Sequence, residues 1–202
     1  MKLRELTGYK GNAHYQAAKN TLVKDNPGDE NWRQFNKFKE YMDANGFSHK
    51  GMGAYGTVFE KPGYEWLFKL YKNDPAYDEF IRYSKKHADN PHLPKFYGAK
   101  IKINDDTSCI RTEKLTKLPY DMYRQYMEYF TAVFAILAER VDPNDSTYDQ
   151  LYREYEQFSR KHPNLFEVLK YIFTESAYYP DLHNGNIMMR GKTLVFSDPV
   201  AL

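Results

Sequence analysis

Pro180-Asp181-Leu182-His183-Asn184-Gly185-Asn186-Ile187-Met188-Met189, followed by Ser197-Asp198-Pro199, is the stretch around which the rest of the chain is read. It sets an acid at 181, an amide five residues on at 186 and a second acid twelve residues later at 198. Asn186 and Asp198 offer hard oxygen ligands of the kind Mg²⁺ or Mn²⁺ accepts. Asp181 is a separate carboxylate suited to orienting a hydroxyl and taking its proton. Asn184-Gly185-Asn186 has turn composition. Ile187-Met188-Met189 and Thr193-Leu194-Val195-Phe196 have strand composition and are joined at Arg190-Gly191-Lys192. Such a hairpin would place Asn186 before its first strand and Asp198 after its second, so that both could face one ion. The plainer alternative is a polar loop beside an ordinary hairpin.

A second signal lies upstream. Gly51-Met52-Gly53-Ala54-Tyr55-Gly56-Thr57-Val58 fits G-x-G-x-x-G-x-V. Three glycines at this spacing arise by chance roughly once in a few thousand positions when Gly is near ~7%, yet a dinucleotide-binding loop shares the spacing. The dinucleotide version ends a strand and opens a helix. Here Thr57-Val58-Phe59-Glu60 reads as strand, Pro62-Gly63 as a turn, and Trp66-Leu67-Phe68-Lys69-Leu70-Tyr71 as strand again. Strand, glycine loop, strand is the arrangement that covers ATP phosphates in protein kinases. Lys69, among apolar Leu67, Phe68 and Leu70, is then a phosphate-binding lysine rather than a solvent-facing strand residue.

From about Phe47 to Leu202 the chain resembles the protein-kinase-like superfamily, in the order glycine loop, lysine, helix with an acid, catalytic Asp with Asn, and metal Asp. Asp181-Leu182-His183-Asn184-Gly185-Asn186-Ile187-Met188, Asp198-Pro199-Val200 and Gly46-Phe47 are most similar to the early-gene serine/threonine protein kinases of short-tailed coliphages. The resemblance implies an α+β, two-lobed fold: an antiparallel-sheet small lobe over 47–115 and a minimal, truncated helical large lobe over 116–202, preceded by a helical extension over 1–46. It implies ATP and Mg²⁺ (or Mn²⁺) as cofactors. Asp181 would orient the acceptor hydroxyl, Asn186 and Asp198 would hold the ions, and His183 would meet the γ-phosphate. Gly51, Gly53, Gly56 and Val58 would cover the nucleotide, and Lys69 would bind its α- and β-phosphates. Glu79, with Asp78 in reserve, is the acid to pair with Lys69 unless it is a solvated helix acid. Glu113-Lys114-Leu115 would be the hinge, where Glu113 and Leu115 meet adenine through the main chain.

Three departures accompany the likeness. Tyr179-Pro180 stands where His-Arg is usual, so control through an activation-loop phosphate is not expected. Asp198-Pro199-Val200 replaces Asp-Phe-Gly, and the chain stops at Leu202. The expectation is an enzyme without an activation segment, always on, whose substrate platform is built from other parts: the N-terminal helices, another protein surface, or a homodimer partner.

The 202 residues carry 29 basic and 27 acidic side chains, a net charge of +2, which gives no electrostatic reason to expect nucleic acid or membrane as a partner. Cys109, the single cysteine, excludes an internal disulfide, suits a reducing cytosol and reads as a buried strand residue. Charges at Lys2, Arg4 and Glu5 and the lack of a long apolar run predict no signal peptide and no span, hence a cytoplasmic protein. Helices are predicted over 12–24, 29–44 (Asp29 as N-cap, Asn45-Gly46 as stop), from Pro75 to about His87, over 120–140, from Thr147 to Lys161, and after His162-Pro163. Strands are predicted over Phe96–Ile103 and Ser108–Thr112, and His92 reads as a loop residue.

Three functions follow from these features. One is a compact serine/threonine protein kinase, phage-encoded and acting on host proteins. Another is a small-molecule kinase, because His183-Asn184-Gly185-Asn186 also resembles antibiotic and choline kinases. The third is a catalytically silent nucleotide-binding module that inhibits a host partner by contact.

Overall fold

The computed structural model describes residues 38–52, 56–72, 74–102 and 107–201. The predicted helix 12–24, the first part of the predicted helix 29–44 with its N-cap Asp29, and the last residue of the predicted strand Phe96–Ile103 lie outside them, as do Gly53 and Leu202. The chain divides into two compact units: Met1–Asp74 with Phe96–Lys114, and Pro75–Lys95 with Leu115–Leu202.

The first unit is built on a five-stranded antiparallel sheet. Its strands are β1 (Ser48–Met52), β2 (Gly56–Glu60), β3 (Trp66–Lys72), β4 (Phe96–Lys102) and β5 (Thr107–Glu113), in the order β1-β2-β3-β5-β4. The period-2 alternation of β2 and β3 sends Thr57, Phe59, Trp66, Phe68 and Leu70 to one buried face. There they meet Cys109 of β5, and Phe38, Met42 and Phe47 from the preceding segment. Edge-on ring pairs fill this core: Phe38 with Phe59 at 5.4 Å and Trp66 with Phe68 at 4.7 Å. Such pairs add about 1 kcal/mol each to area burial. Burial pushes the Cys109 thiol up to about 12, so it is an inert core residue, as expected from its strand.

The helix ending at residue 44 stops as Asn45-Gly46 predicts. Gly46 takes φ +78°, its N–H donates to Asp43 O at 3.0 Å, and the Phe47 N–H donates to Met42 O at 2.9 Å. This is a Schellman cap with its apolar contact, since Phe47 and Met42 share the core. Lys61 Nζ donates to Asn45 O at 2.8 Å, adding a cation at the negative end of the helix.

Glu60 ties three segments of this unit together, with Lys50 Nζ and Lys114 Nζ each 2.7 Å from its carboxylate. Hydrogen bonds from Lys114 first and Lys50 second hold its carboxyl at about 2. Because the folded value lies below the unfolded one, the stabilisation is present at neutral pH and is lost as pH falls through the ordinary carboxylate range toward about 2. The Glu60→Gln variant should therefore melt slightly below wild type at neutral pH. That gap should close on acidification, as a pH series of melting curves on both proteins would show.

The second unit contains helices Pro75–Lys86, Tyr120–Tyr129, Thr131–Leu137, Tyr148–Lys161 and Pro163–Lys170, and the strands β6 (Thr116–Lys117), β7 (Tyr179–Pro180), β8 (Ile187–Arg190), β9 (Thr193–Phe196) and β10 (Val200–Ala201). β6, β8 and β9 form one small antiparallel sheet, and β7 pairs with β10. The predicted hairpin is present. Gly191, at φ +60°, occupies the first of its two turn positions, where a positive φ matches the strand twist. Pro75 and Pro163 each begin a helix, where the missing N–H costs nothing. The loop after Pro75–Lys86 docks on the hairpin: Arg190 donates to Pro91 O (2.8 Å) and Leu93 O (2.9 Å), and His92 Nδ1 donates to Leu194 O (2.8 Å). His92 is thus a structural loop residue.

Where the sequence predicts one helix over 120–140, the chain makes two. Phe130, at φ −87° and ψ −1°, is fully buried and breaks the helix while its ring packs edge-on against Phe158 at 5.6 Å. The second helix ends on Glu139 at φ +51°, with Glu139 N–H donating to Ile136 O and Arg140 N–H to Ala135 O. That is the Schellman pattern without its usual glycine. Glu139→Gly should raise stability by about 1 kcal/mol by relieving the left-handed backbone, measured as a rise in denaturation midpoint with unchanged slope.

Two further differences concern burial. In Tyr148–Lys161, whose spacing from sequence alone would bury Leu151, Tyr155 and Phe158 on one face, only Phe158 is buried, and Leu151 and Tyr155 are half-buried. Ring contacts to Tyr129 and Phe130 concentrate at Phe158. Tyr179, an aromatic that from sequence alone would be expected to pack under the 181–186 segment, is 75% exposed, because β7 pairs with β10 by backbone and leaves its ring in solvent. Among the described residues, no helix is long and apolar enough to cross a membrane.

Candidate functional site

The 181–186 turn and the hairpin bring Asp181, Asn186 and the segment carrying Asp198 together inside the second unit. Asp181 N–H donates to Pro199 O at 2.7 Å, which fixes the first acid against the residue following the second. Ser197, the residue preceding Asp198, donates to Asn186 O twice, from N–H at 2.8 Å and from Oγ at 3.1 Å. Asn186 N–H closes the turn onto His183 O at 2.9 Å. These are the offsets the hairpin predicts: Asn186 immediately before β8, and Asp198 just after β9.

Asn186 also reaches back. Its Nδ2 donates to both Asp181 O and Asp181 Oδ2, each at 2.9 Å. The network therefore assigns the amide orientation, with Nδ2 toward Asp181 and Oδ1 turned to the other side. Among the described residues, no group of three His, Cys, Asp or Glu side chains could hold a metal ion. An amide oxygen plus one carboxylate still fits Mg²⁺, which keeps water and substrate oxygens in its octahedron and needs one or two protein ligands.

His183 lies beside the acid. Its Nε2 is 3.8 Å from Asp181 Oδ2, and its Nδ1 accepts the Gly185 N–H at 2.9 Å. A Cβ on Gly185 would come within 2.7 Å of His183 Cε1, so any other residue there would displace the ring from where it rests. From outside the turn, Tyr123 Oη donates to Leu182 O at 2.9 Å. Tyr123, Ser197 and the carbonyl of Pro199 are site-shaping groups that motif spacing does not reveal. Only the nearness of Ser197 to Asp198 in sequence could have suggested it.

Glu79 accepts from Tyr171 Oη at 3.4 Å. Tyr171 opens a single π-helical turn, Tyr171–Glu175, that continues Pro163–Lys170, and its ring stacks on Tyr83 at 3.6 Å. Burial raises the Tyr171 hydroxyl to about 12, so it remains a donor to the carboxylate. Asp78, on the same helix, is half-buried.

The first unit carries the other predicted residues. Gly51 and Gly56 sit at the two ends of the glycine loop, whose stems pair Gly51 with Val58 and Met52 with Thr57. Thr57 Oγ1 closes the loop base by donating to Gly51 O at 3.2 Å. A Cβ on Gly56 would lie 3.0 Å from Leu70 O on the paired strand, a tight contact that glycine avoids, whereas at Gly51 it would meet nothing within 4 Å. Lys69 faces away from the aromatic core, in register with Val58 on one side and Ile110 on the other. Glu113 is buried at the end of β5, and Leu115 begins the second unit.

No protein-family model and no curated protein matches the chain. Among solved structures it is similar to Rad53 1–466 in complex with AMP-PNP, with a TM-score of 0.38 and 18% identity, over 81% of this chain and 42% of that one. It is also similar to the streptomycin–ATP–APH(2″)-IIa ternary complex, with a TM-score of 0.32 and 14% identity, over 88% of this chain and 73% of that one. The chain thus spans less than half the length of the Rad53 structure. At these scores neither likeness bears on activity, and the functional assignment rests on the residues themselves.

Proposed function

We propose that the chain is an ATP-dependent phosphotransferase, and specifically a compact serine/threonine protein kinase. The observation that carries this is the hydrogen-bonded set joining Asp181, Asn186, Ser197 and Pro199. It holds one carboxylate and one amide oxygen in fixed relation beside Asp198, which a purely structural turn has no need to do. The strand order and the placement of Lys69 opposite Val58 support the same reading.

In this mechanism Asp181 orients the acceptor hydroxyl and receives its proton. Lys69 binds the α- and β-phosphates, and the loop from Gly51 to Gly56 covers them with backbone N–H groups; the open surroundings of Gly51 leave room for that approach. Asn186 and Asp198 are the residues that would hold Mg²⁺, which when bound supplies neutralisation of phosphate charge. Glu79, or Asp78 in its place, orients Lys69, and the main chain at Glu113 and Leu115 meets adenine. Catalysis is then positioning and electrostatics rather than covalent chemistry by the protein. Host proteins as acceptors and the host cytoplasm as the setting are proposed from the sequence resemblance to the coliphage kinases alone.

A small-molecule kinase is the second reading, favoured by the Leu182-His183-Asn184-Gly185-Asn186 wording. Incubation with γ-labelled ATP and either bacterial lysate proteins or a panel of aminoglycosides and choline separates the two. Labelled serine or threonine in protein supports the first. Label confined to a small molecule replaces it with the second.

A further inference from the structure

Resting on the phosphotransferase reading, we infer that His183 is a positioning residue whose tautomer is set by the Gly185 N–H, and that the pair leaves Asp181 Oδ1 as the oxygen that takes the acceptor proton. The backbone N–H of Gly185 donates to His183 Nδ1 at 2.9 Å, so that nitrogen presents a lone pair and the ring proton resides on Nε2. A cationic imidazole has no lone pair to accept this bond, so the ring acts as a neutral donor and not as a charged clamp on phosphate.

The resting place of the ring depends on the missing Cβ at 185. A Cβ at 185 would fall 2.7 Å from Cε1 and 3.0 Å from Nδ1, so only glycine leaves the ring where it lies. In that place Nε2 faces Asp181 Oδ2 at 3.8 Å, beyond direct hydrogen-bond reach but on the same side of the carboxylate as the amide of Asn186, which donates to Oδ2 at 2.9 Å. Asn186 thus donates to Oδ2, while the His183 ring stands beside that oxygen without a hydrogen bond to it. Among the described residues none donates to Oδ1.

The consequence for the reaction is an assignment of atoms. The acceptor oxygen bonds to the γ-phosphorus, the bond from that phosphorus to the β–γ bridging oxygen breaks with its electron pair leaving on ADP, and the acceptor proton passes to Asp181 Oδ1. His183 touches none of the reacting atoms. It biases which face of the carboxylate is open.

The test reads the tautomer and the kinetics separately. Nitrogen-15 NMR of the histidine rings, assigned with His183→Gln, should show His183 in wild type as the neutral Nε2–H form and as a tautomer mixture in Gly185→Ala. His183→Ala and Gly185→Ala should each lower kcat by roughly tenfold to a hundredfold, the scale of a displaced reacting group, with the KM for ATP within about twofold of wild type. His183→Gln, which keeps an N–H donor, should recover part of the loss. A mixed or Nδ1–H signal in wild type, or a kcat for His183→Ala within about twofold of wild type, overturns the proposal. A wild-type chain that transfers no phosphate overturns the phosphotransferase reading as well, and an Nε2–H signal in that same sample would locate the failure in the chemistry and not in the ring geometry.

Discussion

Asp181→Asn should reduce phosphoryl transfer by about 10²–10⁴-fold, the span of a lost general base, while leaving the melting temperature close to wild type. An amide at 181 retains an oxygen that can accept from Asn186 Nδ2, and the backbone ties from Asp181 N–H to Pro199 O and from Asn186 Nδ2 to Asp181 O are untouched. What disappears is the basic lone pair next to the acceptor. Single-turnover assays beside thermal melts would check this. Comparable losses in rate and in folding stability would instead mark Asp181 as a structural residue.

Asn186→Ala should be damaging on both counts. The substitution removes two hydrogen bonds to Asp181, one to its carbonyl and one to its carboxylate, and with them the amide oxygen proposed for Mg²⁺. Loss of donors to a charged group costs about 1.5–3 kcal/mol, so chemical denaturation should show a lowered midpoint. Activity should fall further than stability predicts, because Asp181 loses its fixed orientation and the ion loses a ligand. If raising the Mg²⁺ concentration restores part of the rate but none of the stability, the two roles are separated. A variant with wild-type rate at ordinary Mg²⁺ would remove Asn186 from the site.

These effects were legible in the sequence to different depths. Asn45-Gly46, Pro75 and Gly191 announce their elements because each satisfies a backbone demand that few residues meet, and the structure uses each as expected. The spacing of Asp181, Asn186 and Asp198 announces the site because a short hairpin fixes the offset between the last two. What holds the site together was less visible. The Asp181–Pro199 and Asn186–Ser197 ties run through main-chain groups, which carry no residue signature. Tyr123 reaches Leu182 from a distant helix, where it reads only as part of an aromatic stripe.

The two misread helix boundaries have separate causes. At Phe130 ring packing against Phe158 outweighs helical periodicity, and at Glu139 the left-handed position lacks the glycine that would have signalled it. The π turn at Tyr171–Glu175 adds a residue per turn without changing the apolar pattern, so nothing in the sequence distinguishes it from a continuous helix. Glu79 sits on the helix where the pairing acid is expected, and within its own unit its carboxylate accepts from Tyr171.

The most direct measurement is transfer of γ-labelled phosphate from Mg-ATP by the wild-type chain, run beside Asp198→Asn with lysate proteins and the chain itself as acceptors. The account predicts labelled protein with wild type and a loss of about a hundredfold or more in the variant, the scale of removing a key electrostatic contact in the transition state. No label on any acceptor, or equal label with both proteins, would contradict it.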